Sequence, residues 1–309
     1  MGRFLKRIAL FGGFAFSFYL LLIIIYGSFI PKGLRKNLPY SKGGYGFLHS
    51  RLIEAETVKD IDVLVLGSSH AYRGYDPRIF AKVGLNMYNL GSSAQTFIQT
   101  EQVLKRYIDK MNPKLIIFDV YPFVFNSDGI ESTVDFLSNS KVNKSLVISS
   151  LETGNIKVYN TLVFSLYENL FSLNNTFKEK RKTKRDTYIP GGFVENQTVM
   201  KSEEIYKPHQ YIIAPDQWNA FIRIIGFLES RHLKYVLIQS PFLKDKYKAI
   251  NNNAYMDSIF SSISAYYNYN ERYSWDKPYF FDDVHLNQKG VDIFDSLLID
   301  DLKEKKYCN

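Results

Sequence analysis

The feature that most constrains the fold of this chain is the stretch of residues 61–80, IDVLVLGSSHAYRGYDPRIF. Its first half alternates and then runs apolar, and its β-branched residues are typical of a buried strand. The strand is predicted to end at Gly67, and Ser68 and Ser69 follow at once. Ligands bind at the carboxyl ends of strands in open α/β sheets, so the pattern puts a hydroxyl where a site is expected.

A serine in this position has two interpretations. It can cap the helix that follows, because its side-chain oxygen accepts a hydrogen bond from a backbone N–H of the first turn. It can also be a nucleophile, which needs a base and an acid that orients the base. A second stretch, residues 280–290 (FFDDVHLNQKG), carries Asp282 and His285 before an apolar-periodic helix. Ser69, His285 and Asp282 therefore form a candidate catalytic triad.

Together the two stretches resemble the SGNH hydrolases, also called the GDSL esterase and lipase superfamily. In that family the nucleophile is the serine of a Gly-Asp-Ser block after the first strand. Residues 67–69 stand in that place, with Ser68 where the aspartate would be. The last family block is Asp-x-x-His, which Asp282 and His285 match. The resemblance covers roughly residues 61–123 and 233–302.

The family's second block, Asn-x-Gly-x-x-Gly-x-Thr, resembles residues 89–96. Asn89 and Gly91 keep the pattern and are candidate oxyanion or substrate-binding residues. Ala94 replaces the later glycine, whose N–H donates to the oxyanion in the family. The resemblance implies an oxyanion hole formed by the N–H groups of Ser69 and Ala94. A backbone donor survives the change to alanine wherever the φ/ψ angles do not require glycine.

The family's third block, Gly-x-Asn-Asp, has no counterpart here. The strand at residues 114–118 runs into residues 119–123, and no asparagine occurs until Asn126. One lost oxyanion donor typically costs about 2.7–4 kcal/mol of transition-state stabilisation. Tyr121 offers an O–H as a replacement donor, and it is interpreted equally well as an aromatic residue at the rim of the site.

The resemblance implies a flavodoxin-like three-layer α/β fold with a parallel sheet of about five strands. The sequence pattern predicts the strands at residues 61–66, 87–90, 114–118, 234–241 and 279–281. The last of these would place Asp282 and His285 on the loop beyond its end. Helices are predicted at residues 47–58, 97–111, 217–230, 245–266 and 291–303.

The N-terminal segment determines the predicted cellular location. Residues 8–30 contain no charged side chain, and a bilayer-spanning helix needs only ~20 residues. A long apolar run without a clear small-residue cleavage site favours an uncleaved anchor over a signal peptide. Basic residues are nearly balanced on the two sides, and the amino end is taken as cytoplasmic because single N-terminal anchors generally carry their domain outward. The sequence thus predicts a single-pass membrane protein with an extracytoplasmic domain.

Residues 1–36 are predicted to form the anchor, residues 37–60 a linker and lead-in helix, and residues 61–309 the α/β domain. An insertion is expected at about residues 126–215, with helices at 134–151 and 159–173. Within it, the basic run at residues 178–185 is interpreted as a solvated helix end or loop. The alternative is contact with anionic lipid headgroups or an acidic glycan.

Composition and the remaining candidate residues place few further limits on the predicted function. At 309 residues the chain can bury one sizeable core, and its net charge of +8 is compatible with an anionic lipid or polymer as partner. The single cysteine, Cys308, forms no disulfide within one chain, and no Cys/His cluster indicates zinc, so no metal or other cofactor is predicted. His70 is interpreted as lining the pocket, and Arg73 as an entrance or surface residue.

The resemblance implies that Ser69 attacks an ester carbonyl, His285 takes its proton and Asp282 orients the imidazole. The resulting acyl-enzyme gives an esterase with water or an acyltransferase with a sugar hydroxyl. Anchored proteins of this kind, including the DltD and alginate-acetylation types, modify surface polymers beside a membrane-bound O-acyltransferase. The expected partners are therefore a cell-surface polysaccharide or other acylated glycan, the membrane and such an acyltransferase, with acetyl as the group and no nucleic acid. An inactive scaffold and a cytosol-facing lipid esterase are the alternatives.

Overall fold

The structure is a computed structural model that describes residues 1–173, 176–202 and 204–307. Cys308 lies outside the described residues. Within those ranges the strands are β1 (Val63–Leu66), β2 (Met87–Asn89), β3 (Leu115–Asp119), β4 (Asp186–Ile189), β5 (Phe193–Asn196), β6 (Tyr235–Gln239) and β7 (Tyr266–Asn268). The helices are α1 (Gly2–Phe29), α2 (Leu48–Ala55), α3 (Ser69–Gly74), α4 (Pro77–Lys82), α5 (Phe97–Met111), α6 (Ile130–Asn139), α7 (Lys144–Thr153), α8 (Ile156–Leu170), α9 (Pro215–Ser230), α10 (Lys244–Lys248), α11 (Asn253–Ile263) and α12 (Gln288–Glu304). Short 3₁₀ helices lie at Lys32–Leu34, Pro122–Asn126, Tyr269–Glu271 and Lys277–Tyr279.

Five of the strands form one parallel sheet in the order β2-β1-β3-β6-β7. Without the β4–β5 hairpin, this is the 2-1-3-4-5 order of flavodoxin-like doubly wound folds, so the predicted fold class is confirmed. Val63 of β1 pairs with Met87 on one side and with Leu115 on the other. Every residue of β1 and β3 is buried, as the continuous apolar runs predict.

The helix at residues 97–111 is the clearest case of local sequence determining an element. Thr96 and Gln99 form a capping box at the start of α5, and Asn112 takes the left-handed conformation at its end. The helix lies against α9, and its apolar face joins the main core around the sheet. Its bounds are those expected from the pattern.

The predicted fifth strand at residues 279–281 is wrong. The fifth strand of the sheet is β7, which lies at the end of the segment predicted as helix 245–266. Pro278 lacks the N–H that a ladder requires, and the segment around it forms a 3₁₀ turn. Phe280 keeps only an isolated antiparallel bridge to Leu286, so Asp282 and His285 follow no sheet strand.

The predicted insertion contains α6, α7, α8 and the β4–β5 hairpin. The helix predicted at residues 134–151 is broken in two, because Ser140 is extended and Asn143 caps a new helix through the N–H of Leu146. The second predicted helix, 159–173, corresponds to α8, which Asn155 caps. Among the described residues of the basic run 178–185 the backbone is irregular, and the hairpin that follows it was not foreseen.

The N-terminal helix α1 is long and apolar enough, by length and composition alone, to cross a membrane. Most of its side chains are exposed, while Ile23 and Gly27 near its end are buried against the rest of the chain. Ile23 joins Leu38, Tyr40 and Phe164 in a small cluster separate from the main core.

Candidate active site

The turn that carries Ser69 joins the end of β1 to the start of α3. Gly67 in this turn has a φ of +148°, where a side chain is strained. A Cβ on Gly67 would lie 2.9 Å from the Cβ of Asp119 and 3.0 Å from the Cβ of Ala71. Glycine therefore lets the chain pass close to β3 and begin α3 at Ser69. This is the β1/β3 switch point of the sheet, where ligands bind in such folds.

The two serines of the turn have different surroundings. Ser68 is the N-cap residue of α3 but makes no side-chain capping bond, and its hydroxyl has no hydrogen-bond partner among the described residues. The Oγ of Ser69 instead lies 2.7 Å from Nε2 of His285. The helix-cap interpretation of Ser69 is therefore wrong.

The structure brings the three residues of the candidate triad together. Nδ1 of His285 lies 2.8 Å from Oδ2 and 3.0 Å from Oδ1 of Asp282. With Nδ1–H donating to this carboxylate, Nε2 is left as the acceptor for the O–H of Ser69. Ser69, His285 and Asp282 thus form one continuous line of hydrogen bonds, the arrangement that activates the serine in a Ser-His-Asp triad.

The loop that carries the base is held by the same carboxylate. Oδ1 of Asp282 accepts the N–H groups of Val284, at 3.0 Å, and His285, at 2.8 Å. Burial raises the pKa of Asp282, but the hydrogen bonds and charge of His285 and the two N–H donors outweigh it, and the pKa falls to about 2. Asp282 therefore stays charged at neutral pH and can stabilise an imidazolium.

Asn89 and Gly91 lie beside α3, the helix that Ser69 begins. The Nδ2 of Asn89 donates to the carbonyl of Ala71 at 2.7 Å, and its Oδ1 accepts the N–H of Gly91 at 2.9 Å. The first bond connects this segment to α3, and the second closes a turn within the segment. Ala94 has a φ of +46°, in the left-handed region that favours glycine, as in the family pattern that the segment resembles.

Tyr121 lies against a buried histidine. Its ring centroid is 3.8 Å from that of His70, and the ring of His70 is 5.1 Å from that of His285. Burial, then the proximity of His285, holds the pKa of His70 well below its usual value, and burial raises the pKa of Tyr121. His70 is therefore neutral and Tyr121 keeps its O–H near neutral pH, so the base has uncharged aromatic neighbours.

Arg73 and Asp186 belong to the site, and the sequence did not indicate their pairing. The guanidinium of Arg73 binds both oxygens of Asp186, at 3.1 and 3.2 Å, and Asn196 donates to the same carboxylate. Arg73 also lies 4.9 Å from the ring centroid of Phe281, whose ring is parallel to that of His285 at 5.4 Å. Arg73 is mostly buried, so the surface interpretation is wrong. The hairpin is therefore linked to the imidazole of His285 indirectly, through Arg73 and the ring of Phe281.

A polar and aromatic surface adjoins the site. Lys246 donates to Asp283 at 2.6 Å, and its Nζ lies within 5.9 Å of the ring centroids of Phe123 and Tyr206. Phe123 is 38% exposed and lies 5.5 Å from Tyr121, ring to ring. Among the described residues, no group of three or more His, Cys, Asp or Glu side chains could hold a metal ion.

No family model and no curated protein matches the sequence. Solved structures do show similarity. A proposed acylhydrolase from Bacteroides fragilis is 12% identical, with a TM-score of 0.43, and the match covers 82% of this chain and 94% of that one. A GDSL-like lipase from Bacteroides thetaiotaomicron is 10% identical, with a TM-score of 0.42, and covers 84% and 98%.

Proposed function

We propose that this protein is a membrane-anchored serine esterase or O-acyltransferase of the SGNH type that acts on an ester of an extracytoplasmic glycan. The observation that carries the proposal is the hydrogen-bonded line from Ser69 through His285 to Asp282. It joins a hydroxyl at the carboxyl end of a central strand to a histidine and a carboxylate from the far end of the chain, and each atom faces the partner that nucleophilic catalysis requires.

In the proposed reaction, Oγ of Ser69 attacks the ester carbonyl while Nε2 of His285 takes its proton. Asp282 accepts Nδ1–H and stabilises the imidazolium. The tetrahedral oxyanion is held by the N–H groups of Ser69 and Ala94, with Tyr121 as a further O–H donor. His285 then returns its proton to the departing alcohol, which leaves an acyl group on Ser69. Water or a sugar hydroxyl, deprotonated by His285, takes the acyl group in the second half.

Two observations support a glycan substrate and a membrane anchor. The exposed ring of Phe123 next to Tyr121 is suited to stacking on a sugar ring, and α1 is long enough to anchor the chain. With the amino end in the cytoplasm, the α/β domain faces outward, where surface polysaccharides lie. Acetyl is the proposed acyl group. If the enzyme is an acyltransferase, a membrane-bound O-acyltransferase is the proposed source of the acyl groups.

A fluorophosphonate serine probe tests the central step on the full-length protein in detergent micelles. Intact mass should show one label on the wild type and none on Ser69→Ala. His285→Ala and Asp282→Asn should label on the order of 10³-fold more slowly or worse, because the hydroxyl loses its base or the base loses its orientation.

Ser68→Ala is the matched control, since it removes the neighbouring buried hydroxyl that has no hydrogen-bond partner among the described residues. It should label like the wild type. A folded wild type that takes no label, or a Ser69→Ala variant that still does, would contradict the proposed nucleophile. That outcome would favour the inactive scaffold, which the missing asparagine of the third block also suggests.

A further inference from the structure

The second half of α1 packs against α8. Tyr19 donates its O–H to Oδ1 of Asn160, and Ile23 packs with Phe164. Gly27 permits the closest approach, since a Cβ there would lie 2.2 Å from the ring of Phe164. The contact joins the two helices over at least two turns, so the position of α8 follows that of α1.

This contact reaches deep into the apolar run of α1. Tyr19 is the midpoint of residues 8–30, and at ~1.5 Å per residue it lies about 16 Å along the helix from Ile30. Gly27 lies only about 4.5 Å from Ile30 on the same scale. The hydrocarbon core of a bilayer is about 30 Å thick. If residues 8–30 span it, Asn160 lies near its middle and α8 enters one leaflet.

The free side of α8 has the composition that such a position requires. Ile156, Tyr159, Val163, Leu166 and Leu170 recur at helical spacing along one row, in which Tyr159 and Val163 are half-buried and Val163 packs against the Ile23 cluster. Ile156 is 54% exposed, Leu166 48% and Leu170 77%. In water this row would be an unusually long exposed apolar surface.

Both ends of α8 continue the apolar surface. Leu151 at the end of α7 is exposed, and so are Phe171 and Leu173 beyond the end of α8. The charged residues of α8 are Lys157 and Glu168.

We infer that α8 and its two apolar ends lie in the acyl chains of the leaflet on the side of the α/β domain, packed alongside α1. The chain would then have one spanning helix and a second that enters the membrane part of the way. Lipid is the occupant that the structure favours, because α8 packs along α1 and the exposed side chains of both helices are largely apolar. The inference rests on the membrane anchoring proposed above.

Bromine quenching of a fluorophore measures the contact directly. The full-length protein with Cys308→Ser receives one cysteine, at Leu166 or at Leu170, and a bimane label. It is reconstituted into phosphatidylcholine vesicles with or without brominated acyl chains. Leu22→Cys on the exposed side of α1 is the lipid-facing control, and Tyr255→Cys, exposed on α11, is the water-facing control. Labels at Leu166 and Leu170 should lose fluorescence in brominated vesicles, Leu166 more than Leu170 because Leu170 lies nearer the edge of the hydrocarbon core, and Tyr255 should lose none.

Each alternative outcome has a distinct meaning. Quenching at Leu22 but at neither α8 position would overturn the inference, leave the anchor in place and make a partner protein the better occupant of the row. No quenching at Leu22 would overturn the anchor and the inference together. The esterase proposal is judged separately, since covalent labelling of Ser69 requires no membrane. All four positions are exposed side chains, and thermal unfolding of each variant checks that it is folded.

Discussion

At the scale of single residues, the base and its acid are organised as one unit. Asp282 holds the ring nitrogen of His285 and two N–H groups of the same short loop. The carboxylate therefore fixes both the tautomer of the base and the backbone from which the base projects. Replacing Asp282 by asparagine removes an orienting charge and loosens the loop, which is why its effect is expected to approach that of removing His285.

A second buried carboxylate lies behind the nucleophile. Asp119 ends β3, is 2% exposed and accepts the O–H of Tyr75 at 2.7 Å. Burial raises its pKa to about 6, and the hydrogen bond from Tyr75 offsets only part of that rise. The folded protein therefore binds a proton on Asp119 at a pH where an unfolded chain, with an aspartate pKa of about 3.9, has lost it.

This proton makes stability depend on pH in a defined direction. Between pH ~4 and pH ~6 the free energy of unfolding should fall as the pH rises, because only the folded state keeps the proton. Asp119→Asn cannot titrate, so the wild type should lose up to about 3 kcal/mol relative to the variant across this range. Urea unfolding in micelles at pH 4, 5, 6 and 7 measures the difference. Parallel pH dependence in the two proteins would show that Asp119 is charged throughout.

At the scale of elements, the β4–β5 hairpin is part of the candidate active site. Asp186 of the hairpin binds Arg73 of α3, and Arg73 supports the Phe281 ring that lies along His285. Arg78 of α4 makes a second ion pair to the hairpin, with Glu195. Of these two ion pairs, only the first lies next to His285.

The two ion pairs give a matched comparison. Arg73→Gln and Asp186→Asn should slow labelling by the serine probe about 10- to 100-fold, since small shifts of a catalytic group cost that much. Arg73→Lys should not restore the rate, because an ammonium group lacks the planar fork that binds Asp186 and stacks on Phe281. Arg78→Gln should lower the melting temperature but keep the rate. Equal loss of rate in Arg78→Gln would mean that the hairpin acts only by stabilising the fold.

At the scale of the whole molecule, α1 is part of the packing as well as a candidate anchor. Its second half covers Phe164 and joins a cluster with Leu38 and Tyr40. The boundary predicted between residues 36 and 37 therefore lies inside a packed region. A chain that begins at residue 37 would expose the side of α8 that α1 covers, next to the row that is already exposed.

Truncation should consequently lead to self-association. A protein of residues 37–309 is expected to form oligomers without detergent, because the uncovered and the exposed apolar sides of α8 meet. Phe164→Gln together with Leu166→Gln and Leu170→Gln should return it to a monomer. Light scattering after size-exclusion chromatography distinguishes the two states. A truncated wild-type chain that stays monomeric without detergent would contradict this view of α1.

The features that the sequence predicted are those determined locally or by a short motif. β1 follows from its apolar run, and α5 from its period and the capping box of Thr96 and Gln99. The approach of Ser69 to His285 follows from two motifs, and the catalytic role of these residues stays a prediction. In contrast, β7 has only three residues, and its pairing with β6 determines it. Arg73 and Asp186 are 113 residues apart in chain regions with no common pattern, so only the tertiary fold reveals them.

The distance along the chain between Ser69 and His285 affects the order in which the two residues appear during synthesis. Ser69 and His285 are 216 residues apart, and the ribosome adds about 5–20 residues per second. The serine therefore emerges roughly 10–40 s before its base. During that interval the hydroxyl has no proton acceptor at its side, and the nascent chain should be chemically inert toward esters that it meets on the way. The proposed activity can begin only when the last elements, up to α12, have been made and have closed on the sheet.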